Sequence, residues 1–399
     1  MGAGHGAAWV AGLLRLGHHV GPITVFGDEP HAPYHRPPLS KAFTGGDLEE
    51  PVRPVEFYAE QNIDLRLGER IVTVDPAGKS VHTTTGEQVD YDYLVLATGS
   101  RPRMLEVPGS ELAGIRGLRT IADAQELRTW VSEGRRIAIV GAGYVGLEVA
   151  AVVRSNGHRV TVLEREDRVL ARVASSEFSR IISNLHTAAG TEILTGTEVV
   201  EFLGDAGNAL RGLRLSDGRE LACDAALVGI GAIPNDELAR KAGIDCAPSG
   251  GVVVDEHSRS SDPYILAIGD VAVRPVRGTT DLRRLESIPG TTEQAKQATA
   301  AILGTKKPNA ETPWFWSDQF DLKIKIAGLL GRQTNTVLRG DPQSGKFALF
   351  HHDCGELVAV ESANTPAEFT AGRKWINSDV RIDPDRLEDP STALRDVLI

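Results

Sequence analysis

Cysteine is scarce in this chain. Only Cys223, Cys246 and Cys354 occur in 399 residues; they lie far apart and none belongs to a CxxC pair. A sequence-local dithiol of the thioredoxin type is therefore excluded, and any electrons the protein carries must rest on a bound cofactor. Long apolar runs are also missing, since none approaches the ~18–20 residues of a membrane-spanning helix. The apolar N-terminal stretch has neither a basic leader nor a small-residue cleavage site, so the cytoplasm is the expected location and no membrane partner is expected. Positive charge is in deficit: Lys and Arg number 43 against 54 Asp and Glu, a formal net charge of −11. That balance argues against nucleic acid as the main partner, because phosphate contacts draw on a basic excess. The chain is otherwise of ordinary globular composition and long enough for two or three domains.

What the sequence does have is a series of glycine turns set between apolar strands. RRIAIVGAGYVGLEVAAVVRSNGHRVTVLERED reads as a strand (Arg136–Val140), a glycine turn, a helix (Val145–Asn156) and a second strand (Arg159–Glu164). Helical apolar spacing and Gly157 just past the helix support that reading. Near-continuous apolar strands fit a parallel sheet covered on both faces. Gly141, Gly143 and Gly146 form GxGxxG, with Glu164 at the end of the next strand. Glycines permit a tight turn and close approach to a pyrophosphate, the helix N-terminus supplies amide donors, and the carboxylate accepts from a ribose 2′-hydroxyl. A carboxylate there repels a 2′-phosphate, so NADH is expected over NADPH; Arg165 beside it weakens that preference slightly.

The N-terminus, MGAGHGAAWVAGLLRLG, is a shorter copy of the same unit. Gly2, Gly4 and Ala7 form GxGxxA, followed by a helix (Ala7–Leu16) and a strand (Ile23–Glu29) that ends on the acidic pair Asp28 and Glu29. No strand leads into this turn. YDYLVLATGSRPR, DAALVGIGAIPN and YILAIGDVA each read as a buried strand closing on a glycine turn, which places Ala97, Thr98, Gly99 and Gly231 on such turns. From about Pro313 the character changes. FDLKIKIAG alternates apolar and charged residues, as an antiparallel strand with one wet face does, and Trp314 and Trp316 share a face at strand spacing. His351, His352, Asp353 and Cys354 are consecutive, so neighbours point to opposite faces and no metal site is expected.

PYHRPPLSK, LVLATGSRPR, GAGYVGLEVA, AIGD and PWFWSDQFDLKIKIAGL together resemble the FAD-dependent NADH:ferredoxin reductases. These belong to the pyridine nucleotide-disulfide oxidoreductase superfamily and serve Rieske oxygenases and bacterial cytochromes P450. The resemblance spans essentially the whole chain. It implies an α/β fold with two Rossmann-like nucleotide-binding domains, glutathione-reductase-like, plus a C-terminal α+β domain. The implied boundaries are 1–107 and 245–312 for FAD, 108–244 for NAD, and 313–399 for the C-terminal domain. It implies FAD and NADH as cofactors, and a [2Fe–2S] ferredoxin supplying a P450 or Rieske oxygenase as partner. The first turn would hold the FAD pyrophosphate, with Asp28 and Glu29 near the adenosine ribose. Arg36 and Lys41 would approach the flavin, and Ile71, Arg119, Asp270, Ile288 and Trp316 fall where the family contacts FAD. Lys41 resembles the lysine beside flavin N5 that pairs with a glutamate, here Glu148, and a cation there stabilises charge on the reduced ring.

Several alternatives stay open at this level. The alternative readings are that Glu148 serves its helix terminus, and that Trp314 and Trp316 are simple core. An NADH oxidase or diaphorase, or a non-enzymatic sensor like apoptosis-inducing factor, would share the same domains. Docking of an acidic ferredoxin is expected at Arg283 and Arg284, or at Lys323 and Lys325. Family members carry an apolar strand of about six residues ahead of the first turn. A chain extended upstream by such a strand is expected to hold FAD tightly, and one that begins at Met1 to hold it weakly or not at all.

Overall fold

The computed structural model describes residues 1–279, 281–330, 334–378 and 380–399. They form two compact units: Met1–His35, Glu49–Arg101 and Ile233–Trp314 in one, Arg36–Leu48, Pro102–Ala232 and Phe315–Ile399 in the other.

In the first unit the helix His5–Leu16 starts directly after the glycine turn and buries Gly6, Ala7, Ala8, Val10, Ala11 and Leu14. Small residues on that face let it lie close to the helix Ile288–Leu303, where Val10 and Leu14 join Leu266, Ile268, Ala295 and Ala298 in one core. Two parallel strand pairs carry the unit: Ile23–Gly27 with Ile63–Leu67, and Leu94–Leu96 with Ile265–Ala267. Met1 and Gly2 run between them. The Gly2 amide donates to Phe26 O at 2.8 Å, and the Ala97 amide donates to Met1 O at 2.8 Å. The strand read as ending at Glu29 stops at Gly27, so Asp28 and Glu29 stand in the loop beyond it.

The second unit holds a five-stranded parallel sheet in the order Glu192–Leu194, Val160–Leu163, Ile137–Val140, Ala225–Val228, Ile115–Arg116. Every residue of Ile137–Val140 and Ala225–Val228 is buried, which is why these strands are unbroken apolar runs. The helix that follows the second glycine turn runs Tyr144–Ser155. A separate antiparallel sheet near the C-terminus has the order Trp314–Gln319, Leu322–Gly328, Glu356–Ala363, Lys346–Asp353, Asn335–Asp341. Leu322–Gly328 alternates as read from sequence, with Leu322, Ile324 and Ile326 inward and Lys323 exposed. The helix Pro366–Ser378 covers this sheet, and a Cβ at Gly372 would meet Val360 Cγ1 at 2.9 Å. No helix among the described residues is long and apolar enough to cross a membrane.

Candidate functional site

The first glycine turn separates its glycines by task. Gly2 has φ +97°, and a Cβ there would lie 2.2 Å from the Ala97 carbonyl oxygen. Backbone cannot yield at that distance, so only glycine fits. A Cβ on Gly4 would meet nothing within 4 Å, so the space beside its half-buried backbone is open to a ligand. Gly6, which the motif reading passed over, is a packing glycine: its Cβ would sit 3.0 Å from Ile268 Cδ1 and 3.1 Å from Thr291 Cγ2. Ala97, Thr98 and Gly99 form the adjacent turn, where Thr98 Oγ1 donates to Asn235 O at 2.8 Å and Asn235 Nδ2 donates back to Thr98 O at 2.9 Å. Asp270 lies in the short turn Gly269–Val271 and accepts from Ser100 Oγ at 3.0 Å. Ile288 opens the helix capped by Ser287. Neither that helix nor His5–Leu16 carries an acid in its first turn, which suits an anionic pyrophosphate.

The acidic pair divides. Tyr34 donates to Glu29 at 2.7 Å, whereas Asp28 is exposed and stands 3.7 Å from Arg70. Ile71 is 4% exposed and packs in the core with Phe26, Val74 and Leu96, so its side chain serves that core.

The second turn repeats the logic within its own unit. Gly141 has φ +106° and its Cβ would meet Gly229 O at 2.5 Å; a Cβ on Gly146 would lie 2.3 Å from Gly141 O. Gly143, the helix N-cap, again has nothing within 4 Å. Glu164 accepts from the Ala142 amide at 2.7 Å and the Glu166 amide at 3.0 Å, so its carboxylate is fixed to the turn. Arg165 is exposed and pairs with Glu166 at 3.1 Å. Gly231, φ +113°, accepts from the Arg103 amide at 2.9 Å and would tolerate a Cβ only in a strained conformation.

A charged cluster stands in the second unit. Pro37 caps and Pro38 opens the short helix Pro38–Lys41, with Leu39 and Ser40 buried beneath it; proline pre-sets the dihedral angle a helix start needs. Lys41 Nζ lies 2.9 Å from Asp318 Oδ2, 3.5 Å from Glu148 Oε1 and 5.4 Å from the centre of the Trp316 ring. Glu148 is 5% exposed. Ser40 Oγ donates to its Oε2 at 2.5 Å and Ser317 Oγ to its Oε1 at 2.7 Å. Burial raises its pKa above the ordinary carboxylate value, against the opposing pull of Lys41, Ser40 and Ser317. Asp318 goes the other way. Burial works against its ionisation, but hydrogen bonds and charge from Lys41 and Lys323, the latter at 3.1 Å, hold it below the usual range.

Arg36 and Arg119 also meet in this unit, Arg36 Nη1 donating to Arg119 O at 2.5 Å beside the capping box of Thr120 and Asp123. Sequence reasoning missed Ser40, Ser317 and Asp318, although period-2 alternation in WFWSDQ already places Ser317 opposite Trp316 and Asp318. His351 and His352 have separate partners, Glu361 and the Gly355 amide. Cys223 is buried and its thiol is pushed up to about 12, and burial also raises Cys246, which removes both as ready nucleophiles.

The model of the pyridine nucleotide-disulphide oxidoreductase family matches residues 1–302, and the reductase C-terminal model matches 314–398. A protein of Castellaniella defragrans named "Probable ferredoxin reductase CtmF" is 45% identical over 394 residues, covering 98% of this chain and 96% of that one. The crystal structure of the ferredoxin reductase for the CYP199A2 system of Rhodopseudomonas palustris matches with a TM-score of 0.94 and 38% identity, covering 100% of this chain and 98% of that one. The reductase of a covalent putidaredoxin reductase–putidaredoxin complex matches with a TM-score of 0.95 and 35% identity, over 99% of this chain and 96% of that one.

Proposed function

The chain belongs to the pyridine nucleotide-disulphide oxidoreductase family, and from that premise we propose that it passes electrons from NADH through FAD to a [2Fe–2S] ferredoxin serving a P450 or Rieske oxygenase. The observation that carries this reading is the Lys41 ammonium, fixed between Glu148 and Asp318 beside Trp316. Bound FAD supplies the exchange between a two-electron donor and a one-electron acceptor. The residues supply everything else. Gly2, Gly4 and the acid-free helix start would take the FAD pyrophosphate, with Asp270 and Ile288 alongside. Gly141, Gly143 and Gly146 would take NADH, with Glu164 selecting a free 2′-hydroxyl. Lys41 would hold a positive charge where the reduced ring is negative, and the two carboxylates keep that ammonium from drifting. No cysteine is needed for such a transfer.

The ferredoxin should dock by charge. Arg283 and Arg284 are each tied to an acid on their own segment, Asp281 and Glu286, so they offer little free positive charge. Lys323 and Lys325 share one face of Leu322–Gly328; Lys323 is likewise paired with an acid, Asp318, whereas Lys325 lies over the Phe369 ring at 5.5 Å. Lys325→Glu should raise the apparent KM for ferredoxin roughly tenfold, equivalent to about 1.4 kcal/mol, and flatten its salt dependence. Steady-state reduction of ferredoxin at several ionic strengths checks this; unchanged KM and salt slope would move the docking face elsewhere. The function itself is tested by NADH consumption with and without ferredoxin. A ferredoxin-dependent rate supports the reductase, whereas consumption matched by oxygen uptake alone would make the protein an oxidase.

A further inference from the structure

Glu148 sits at the end of a buried polar line that the charge cluster alone does not require. His186, on the helix Ser176–Ala188, is wholly buried, and its Nε2 lies 3.0 Å from Gln319 Oε1. Gln319 Nε2 is 3.1 Å from Ser317 Oγ, and Ser317 Oγ is 2.7 Å from Glu148 Oε1. Gln319 and Ser317 are both fully buried. With Gln319 Oε1 turned to His186 and its Nε2 to Ser317, the direction of every bond follows. An amide nitrogen only donates, so Ser317 accepts from Gln319 and its own proton is aimed at Glu148. An amide oxygen only accepts, so the His186 proton is on Nε2. Burial pushes His186 down to about 4, partly offset by Gln319, so the ring is neutral near pH 7 and carries one N–H. Three donors in series thus point at a single carboxylate.

We propose that His186, Gln319 and Ser317 act as a positioning relay that keeps Glu148 ionised, and thereby sets the net charge beside the flavin. The inference rests on the function proposed above only for the identity of the neighbouring ring. The groups that face Glu148 are Ser40 and Lys41 from their short helix, Ser317 from the strand Trp314–Gln319, and Tyr144 from its own helix. Asp318, from that same strand, reaches it through Lys41 and also pairs with Lys323. With Glu148 and Asp318 ionised and both lysines protonated, the cluster is neutral. Protonating Glu148 leaves it one unit positive. Donors in a buried chain polarise one another, so losing the middle of the line weakens its last bond as well.

The test is a pH titration of the carboxyl stretch in difference infrared spectra, with Glu148→Gln as the blank that assigns the band. It needs neither NADH nor ferredoxin and is run with and without FAD, so its outcome is independent of whether the protein reduces ferredoxin. Ser317→Ala should move the Glu148 midpoint up by about one to two pH units, the usual worth of one hydrogen bond to a charge. Ser317→Thr, which keeps the hydroxyl, should restore it. Gln319→Leu should move it in the same direction by less. At a pH between the parent and Ser317→Ala midpoints, the flavin midpoint potential of the FAD-loaded variant should be shifted positive, because there Glu148 has lost its negative charge. A folded Ser317→Ala protein that titrates as the parent does would overturn the proposal. So would collapse of both Ser317→Ala and Gln319→Leu beside a folded Ser317→Thr, which would assign these residues to folding alone.

Discussion

Replacing Lys41 by Met should slow flavin reduction by NADH by roughly a hundredfold, the usual worth of one preorganised charge-stabilising group. Stopped-flow absorbance at saturating NADH reads this directly. The same substitution strips Glu148 of its cation while leaving it 5% exposed. A lone buried carboxylate costs about 3–5 kcal/mol, so it will take up a proton instead and its pKa will rise further. The sign for stability follows from that rise. A carboxyl whose folded pKa exceeds its unfolded one binds more protons when folded, so its contribution falls as pH climbs from the unfolded value to the folded one. Lys41→Met should therefore lose little stability near pH 5 and most of it near pH 8, as seen in thermal melts. Adding Glu148→Gln should restore the stability but not the rate. If the double variant regains the rate as well, the ammonium has no role at the flavin.

Gly143→Val should leave the fold intact and weaken NADH binding. Its Cβ would meet nothing within 4 Å and its backbone is extended, with φ −79° and ψ 178°, so the added Cβ strains no protein atom. It would occupy the space a pyrophosphate needs, and the amides at the start of Tyr144–Ser155 would be screened from it. KM for NADH should rise roughly a hundredfold, about 2.7 kcal/mol, with the thermal midpoint within a few degrees of the parent. Gly141→Val makes the opposite case. There the Cβ would stand 2.5 Å from a carbonyl oxygen at φ +106°, so stability is lost before binding can be assessed. Two glycines of one motif, two positions apart, thus separate ligand space from protein packing.

How much of this was legible beforehand depends on how local each signal is. The second glycine turn, its helix and both flanking strands appear within a residue or so of where periodicity put them, because turn, helix and strand are each encoded within about ten neighbouring residues. Tasks within the motif are not legible, since what a Cβ would strike at Gly141 is the carbonyl of Gly229 from a distant strand. The charge cluster shows the same limit more strongly. Lys41 meets Asp318 across 277 positions, Ser317 meets Glu148 across 169, and His186 meets Gln319 across 133. No window contains both partners of any of these bonds. The resemblance located Lys41 and Glu148, but the serines and Asp318 that hold them needed the fold. Ile71 and Gly6 show the reverse case, one side chain that serves the core and one unnoticed glycine that does the same.

The most direct measurement is the visible spectrum of the FAD-loaded protein, titrated anaerobically with NADH and then with an oxidised [2Fe–2S] ferredoxin. The proposed function requires the flavin bands to bleach as NADH is added and to return as ferredoxin takes the electrons one at a time. A protein that takes up no flavin, or whose flavin bands are indifferent to NADH, would contradict it.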